Sequence, residues 1–241
     1  MTLAGKRIVV TRPRELAGGL AALIAQAGGE ALLFPAIEIR DPEDPAPARA
    51  LLGRLQEFDL AVFVSPSAVR KALELASGRA WPRVAAVGSG TRHELEQRGF
   101  RNVIAPAGQA DSEALLGLPE MAQVAGARVL ILRGAGGREL LGETLAARGA
   151  RVEYAECYRR VRPPAIRLEG RIDAVCVSSG EALANLAAML GRERLEHTPV
   201  LVSHPRVVAQ ATELGLHRPV LAGPGDAEVL AALVAHFGGA K

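Results

Sequence analysis

The sequence predicts an α/β protein of two similar domains, each a parallel sheet flanked by helices, joined by a two-stranded linker. Three observations carry this. Short apolar runs alternate with amphipathic Ala/Leu-rich stretches along the 241 residues, the spacing of strand–helix units whose sheets are covered on both faces. The segment 5–42 aligns without a gap on 126–163, so that Gly5 meets Gly126, Arg12 meets Arg133, Gly28 meets Gly149 and Pro42 meets Pro163. A second pair of segments, 58–65 and 172–179, sets Asp59 over Asp173 and Ser65 over Ser179, which makes an internal duplication the better account. Finally, the extended stretches 36–40 and 157–161 fall at equivalent places in the repeat, and both run into proline.

In chain order the expected strands are RIVVT (7–11), EALLF (30–34), LAVFVS (60–65), RVAAV (83–87) and VIA (103–105). RVLIL (128–132), RVEY (151–154), AVCV (174–177), VLVS (200–203) and VLA (220–222) follow. Each is a short apolar run, and helices of roughly 10–15 residues fit between them. Ten strands suit two five-stranded sheets. PEDPAPARA (42–50) is a loop by composition. If the chain leaves one domain through 36–40 and returns through 157–161, one domain is 1–36 plus 161–241 and the other is 40–157. The two linkers then pair as a ribbon on which the domains hinge. A simple split near residue 120 is the rival.

Bulk properties bound the function. Hydrophobic residues make up 49% of the chain, but aromatics only 3%, so the interior must be built from Ala, Leu and Val. No apolar run approaches the roughly 20 residues that span a bilayer, and the N-terminus lacks the apolar core of a signal peptide. Cys157 and Cys176 are isolated and suit a reducing compartment. The expectation is a soluble, cytoplasmic monomer. Net charge is +3, yet acidic and basic residues alternate and aromatics to stack on bases are scarce, so neither nucleic acid nor membrane is an expected partner. Arginine outnumbers lysine 26 to 3, a compositional bias that weakens any single arginine as a functional signal.

VLILRGAGGREL (129–140) has the layout of an anion cradle: strand, glycine turn, helix start. It is not a dinucleotide fingerprint, because Glu139 stands where GxGxxG needs its last glycine, and the chain has no GxxxxGK[ST] loop. Neither GxSxG nor the metal spacings HxxxH and HExxH occur, so no metal site is signalled. The expected strand ends instead carry Arg12, Ser65, Ser89, Thr91, Arg133, Gly134, Arg138, Ser178, Ser179 and Arg206. In parallel α/β sheets ligands bind at the carboxyl ends of the strands. Hydroxyls, free amides and arginines there suit an extended polyanion bound at many points, with no cofactor. Ser65 and Ser179 also read as plain helix caps.

Taken together, IVVTRP (8–13), FDLAVFVSPSAV (58–69), AAVGSGT (85–91), ILRGAGGRELLGETLAARGA (131–150), CYRRVRPP (157–164) and VSSGEALANL (177–186) resemble the uroporphyrinogen-III synthase family. The likeness covers essentially the whole chain. It implies two α/β domains on a two-stranded linker and no metal or organic cofactor. The implied activity is cyclisation of the linear tetrapyrrole hydroxymethylbilane to uroporphyrinogen III, with loss of water and inversion of the last ring. The glycine loop would then cradle acetate and propionate carboxylates. Tyr158 matches the family's linker tyrosine and is expected to face the cleft as the proton donor to the departing hydroxyl; Tyr154 is expected in the core. Ser65, Thr91 and Ser179 match hydroxyls of the family's cleft. Around residue 203 the family's hydroxyl-rich pattern is replaced by Ser203-His-Pro-Arg-Val-Val208, where Arg206 offers charge instead. A non-enzymatic two-lobed sensor or binding module for a small polyanion is the alternative from another class; a glycosyl or nucleotide transferase would want a phosphate loop.

Overall fold

The apolar runs fold into two five-stranded sheets in the computed structural model, which describes residues 3–107, 111–137, 139–164, 167–216 and 218–238. The strands are β1 (Arg7–Val10), β2 (Glu30–Leu33), β3 (Glu38–Arg40), β4 (Leu60–Phe63) and β5 (Arg83–Ala86), then β6 (Arg128–Gly134), β7 (Arg151–Val161), β8 (Ala174–Val177), β9 (Val200–Val202) and β10 (Pro219–Leu221). The chain divides into two compact units, 1–38 with 161–241, and 39–160. It passes from one unit to the other within β3, and back at the end of β7.

The first unit holds the order β10-β9-β8-β1-β2, with each pairing parallel. β8 is buried at every position and β1 at three of four, because helices cover both faces. The second holds β3-β7-β6-β4-β5, parallel from β7 to β5. Its core has two sides. One gathers Phe63, Ala68, Leu130, Leu132, Cys157 and Tyr158; the other gathers Val62, Leu115, Met121, Val129, Ile131 and Leu145. Bulk on the first side comes from Phe63, Trp81 and Phe100, with ring centroids 5.2 to 6.4 Å apart, which concentrates three of the chain's eight Phe, Trp and Tyr rings in one place. No helix among the described residues is long and apolar enough to cross a membrane.

Two strand expectations need correction. Residues 103–105 make only a single bridge, Ala85 to Ile104, because Asn102 turns the backbone into the left-handed region and Pro106 ends the run. The fifth strand of that sheet is β3. The stretches 151–154 and 157–161 are one eleven-residue strand, since nothing between them can turn the chain.

β7 is not regular. Its pairing with β6 matches Arg133 to Glu156 and then Gly134 to Tyr158, so Cys157 is an extra residue opposite that step. In a regular strand, side chains alternate, and Tyr158 would share a face with Tyr154 and Glu156. The bulge breaks the alternation. Ala155, Cys157 and Tyr158 all enter one core cluster, while Tyr154 packs on the other. Gly134 makes this possible: a Cβ there would lie 2.7 Å from two carbons of the Tyr158 ring. Gly134→Ala should therefore push the ring aside and destabilise the fold by roughly 1–3 kcal/mol, as overpacking does. A lowered thermal midpoint, with a changed near-ultraviolet tyrosine signal, is the expected reading.

Cys157 and Cys176 are both buried, and burial pushes each thiol up to about 12, although Arg12 pulls Cys176 slightly the other way. The thiolate is the nucleophile. Neither should react with a thiol reagent at pH 8 in the folded protein, and both should react in denaturant. Rapid labelling of the folded protein would contradict this burial.

Candidate functional site

In the second unit, the strand ends meet around Tyr158. β4 runs out at Phe63, and Ser65 then caps the helix Pro66–Leu75, its Oγ accepting the Ala68 amide at 3.0 Å. Pro66 at the first helical position needs no amide partner there, which sharpens the turn. The bulge delivers the Tyr158 hydroxyl to 3.0 Å from the same Ser65 Oγ. Contrary to expectation, Tyr158 is not an open-facing group. It is 3% exposed, because Gly134 admits its ring into the packing. Ser65 is half-buried.

The glycine loop is already engaged with anions of the chain itself. Arg133 reaches Glu139 at 2.8 Å and Glu156 at 3.2 Å, and its guanidinium lies 4.2 Å above the Tyr154 ring. Glu156 also accepts the Gly136 amide at 3.3 Å, where the backbone takes the left-handed turn that glycine allows. Burial alone would lower the pKa of Arg133, but the hydrogen bond to Glu139 and then the one to Glu156 outweigh it and hold it up. In return Arg133, and then the Tyr154 hydroxyl, hold the Glu139 carboxyl below its ordinary value. Tyr154 is raised by burial first and by Glu139 next. Expected in the core, Tyr154 is only half-buried and forms part of this ionic cluster.

Other expected contacts divide. Ser89 is exposed at the start of the helix Ser89–Gln97. Thr91, two residues on, is 4% exposed, because the first helical turn rotates it inward; direct ligand contact by its side chain is not what this conformation offers. Gly134 is likewise buried, its place taken up by the tyrosine ring rather than by an open cradle. Arg138 lies outside the described residues. The helices that present Ser65 and Ser89 are clamped together by Arg70, whose guanidinium makes two bonds of 3.1 and 3.0 Å to the buried Glu94 carboxylate. Arg98 adds a third contact to Glu94 at 3.1 Å.

In the first unit, Ser179 repeats the role of Ser65: its Oγ accepts the Ala182 amide at 3.2 Å and caps the helix Gly180–Leu190. Its backbone angles, −155° and 158°, match the −162° and 161° of Ser65. No tyrosine stands behind it, for the repeat equivalent of Tyr158 is Ile37. Arg12 is ion-paired with Asp226 and reaches the Pro224 carbonyl at 3.4 Å. Ser178 is exposed, and its carbonyl accepts the Ser203 hydroxyl at 2.9 Å. Arg206 is exposed in the first turn of the helix Pro205–Glu213, where the His204 ring nitrogen Nδ1 accepts its amide at 3.1 Å. Thr11 is fully buried and donates to the Cys176 carbonyl at 2.8 Å, tying β1 to β8 just where both end. Sequence reasoning missed the chain's own carboxylates, Glu139, Glu156 and Asp226; acidic residues near Arg12 and Arg133 in the fold were the signal, and only Glu139 is near in sequence. Among the described residues no group of three or more His, Cys, Asp or Glu is placed to hold a metal ion.

The model of the family described as "Uroporphyrinogen-III synthase HemD" matches residues 19–230. The uroporphyrinogen-III synthase of Escherichia coli (strain K12) is 36% identical over 239 residues, covering 92% of this chain and 97% of that protein. A putative uroporphyrinogen-III synthase of Methanothermobacter thermautotrophicus is 31% identical over 208 residues, covering 80% and 81%. Among solved structures, the synthetase of Helicobacter pylori 26695 superposes with a TM-score of 0.65 at 16% identity over 96% of this chain and 99% of that one. A mutant Thermus thermophilus synthase gives 0.60 at 20% identity over 94% and 97%. These two likenesses bear on the fold, while the family match spans the strand ends from Ser65 to Ser179 and Arg206. On that evidence the chain belongs to the uroporphyrinogen-III synthase family.

Proposed function

We propose that this protein closes hydroxymethylbilane to uroporphyrinogen III, eliminating water and inverting the last pyrrole ring. The observation that carries the reading is the Tyr158–Ser65 pair, a phenol held by a bulged strand against the hydroxyl at the end of β4, in a chain of this family. In the proposed reaction the pyrrole nitrogen expels the hydroxyl and leaves an electrophilic azafulvene. The substituted carbon of the last ring attacks it, and the resulting spiro intermediate fragments and recloses. Without assistance the bilane closes to the other isomer. The protein's main task is thus to hold a flexible polyacid in one geometry, and orientation of this kind can lower a barrier by several kcal/mol. A proton donor at the leaving oxygen adds to that.

Tyr158 is the residue to which we assign the proton. The proposed carboxylate contacts are Arg12, Ser178, Ser179 and Arg206 in the first unit, and Ser65, Ser89, Thr91, Arg133, Gly134 and Arg138 in the second. For Thr91 and Gly134, contact requires movement from the buried positions seen here. Arg12 and Arg133 would exchange carboxylates, releasing Asp226, Glu139 and Glu156 to take the substrate's own. The functional domains are taken as 1–36 with 161–241, and 40–157, with 36–40 and 157–161 as linkers; the division of the chain at 38/39 and 160/161 supports this. The reading further includes a cytoplasmic monomer whose partner is a small polycarboxylate, without nucleic acid, membrane or cofactor. The lack of a dense basic block and the scarcity of aromatics support that part.

The test is the isomer ratio. Fresh hydroxymethylbilane given to the protein, with the porphyrins oxidised and separated, should yield chiefly type III. Type I alone at the spontaneous rate would sink the cyclase reading and leave a polyanion-binding module in its place.

Tyr158→Phe should lower turnover on the order of 10–10³-fold while its residual product stays type III, because ring orientation comes from the carboxylate contacts. The buried hydroxyl makes one hydrogen bond, so stability should fall by only about 1 kcal/mol. Full retained rate would reduce Tyr158 to a packing residue, and mainly type I product would make it an orienting one.

A further inference from the structure

A hydroxyl on a side chain that is 3% exposed does not meet a bound molecule directly; the group it touches can. That group is Ser65, half-buried, with its Oγ 3.0 Å from the phenol oxygen. Which of the two donates follows from counting. A serine hydroxyl has one proton and two lone pairs. One lone pair already accepts the Ala68 amide at 3.0 Å. If Ser65 donated to Tyr158, the phenol's own proton would need another acceptor within the cluster of Phe63, Leu132 and Cys157, and no other side-chain partner is placed there among the described residues. A buried donor without a partner is costly. If Tyr158 donates instead, both lone pairs of Ser65 are filled, the phenol proton has its acceptor, and the proton of the half-buried serine is left to give to a bound molecule.

We infer that Ser65 is the residue that protonates the departing hydroxyl, and that Tyr158 acts through it as the second member of a two-proton relay. This rests on the cyclase reading above, but passes the Tyr158 proton through Ser65 and moves Ser65 from the carboxylate contacts to the leaving oxygen. As the pyrrole nitrogen lone pair expels the hydroxyl, the carbon–oxygen bond breaks and the Ser65 proton completes a water molecule. The Tyr158 proton moves to Ser65, so the charge comes to rest on the phenolate. When the unsubstituted carbon of the last ring has closed the macrocycle and gives up its proton, that proton returns through Ser65 to Tyr158. Substrate has then lost one hydroxide and one proton, and the enzyme is unchanged. The Ala68 amide and the N-terminal end of the ten-residue helix behind it favour negative charge on Oγ during the transfer. Tyr158 is on this view a positioning residue that resupplies and orients the serine proton. The first unit lacks the relay: Ser179 has the same cap, but Ile37 stands where the tyrosine would be.

The test compares single-turnover rates of the full chain and four variants on fresh hydroxymethylbilane: Ser65→Thr, Ser65→Asn, Tyr158→Phe and the Asn/Phe double variant. Asparagine keeps the helix cap but has no hydroxyl proton to give. Ser65→Asn should lose roughly 10–10³-fold and Ser65→Thr less than about tenfold, since the hydroxyl is kept. Tyr158→Phe should lose no more than Ser65→Asn, and the double variant should match Ser65→Asn within about threefold, because a relay cut at its front cannot be cut again. Rates in mixtures of light and heavy water should curve for the native protein, with two protons in flight, and fall on a line for Tyr158→Phe. Losses that multiply in the double variant, a larger loss for Tyr158→Phe than for Ser65→Asn, or a straight line for the native protein would each overturn the relay. Should Ser65→Asn fail to fold, the heavy-water comparison of native and Tyr158→Phe decides alone. Native protein that makes type III while the losses multiply refutes the relay only; native protein that makes type I alone removes the cyclase reading and the relay with it.

Discussion

The second unit depends on one extra residue. Cys157, unpaired against the step from Arg133 to Gly134, turns Tyr158 from the face of Glu156 to the face of the helix that Ser65 caps. Three separate choices must agree for this to hold. The strand must be long enough to carry a bulge opposite the last step of its partner. The partner must offer glycine under the ring. The neighbouring strand must end in a residue able both to cap a helix and to bond the phenol. Each has a structural purpose by itself, and together they put a polar pair at the edge of an apolar core.

Charge is arranged by a similar economy of groups. Arg133 and the Gly136 amide, which suit a carboxylate, already hold Glu139 and Glu156, and Arg12 holds Asp226. A cation left alone in a partly buried place would be costly, so it keeps a resident partner. These partners are themselves partly exposed, with 46% and 43% of the Glu139 and Glu156 side chains open to solvent. Ion pairs at that exposure are worth little and exchange readily. A carboxylate brought by a ligand would therefore meet a preformed geometry without having to break a strong bond.

The fold was largely legible in the sequence because its signals are local and repeated. Alternation of apolar runs marks strands, and an internal alignment shows which runs correspond. The errors came where tertiary context decides. VIA at 103–105 looks like a strand until Asn102 and Pro106 confine it to a bridge. Two stretches of β7 read as separate because a bulge leaves no mark in composition. The site was legible as a set of residue types at strand ends, and Ser65 and Tyr158 do come together. What was not legible is who faces whom. A one-residue irregularity buries Tyr158, and a helical turn buries Thr91. Glu156 lies 23 residues from Arg133 in the chain, and Asp226 lies 214 from Arg12, so neither pair could be read from neighbours.

Duplication gives the two units a common scaffold, and the scaffold shows how unequal inheritance can be. Ser65 and Ser179 retain one conformation and one cap. Around them the copies have parted. Where one has Gly134 and Tyr158, the other has Pro13 and Ile37. Placing a tyrosine at residue 37 would not by itself recreate the missing pair, for Pro13 stands where the ring would need a glycine beneath it. Acquiring it would take several coordinated changes, each without benefit until the last. The first unit therefore keeps the serine cap without the phenol, and a single substitution cannot supply the pair.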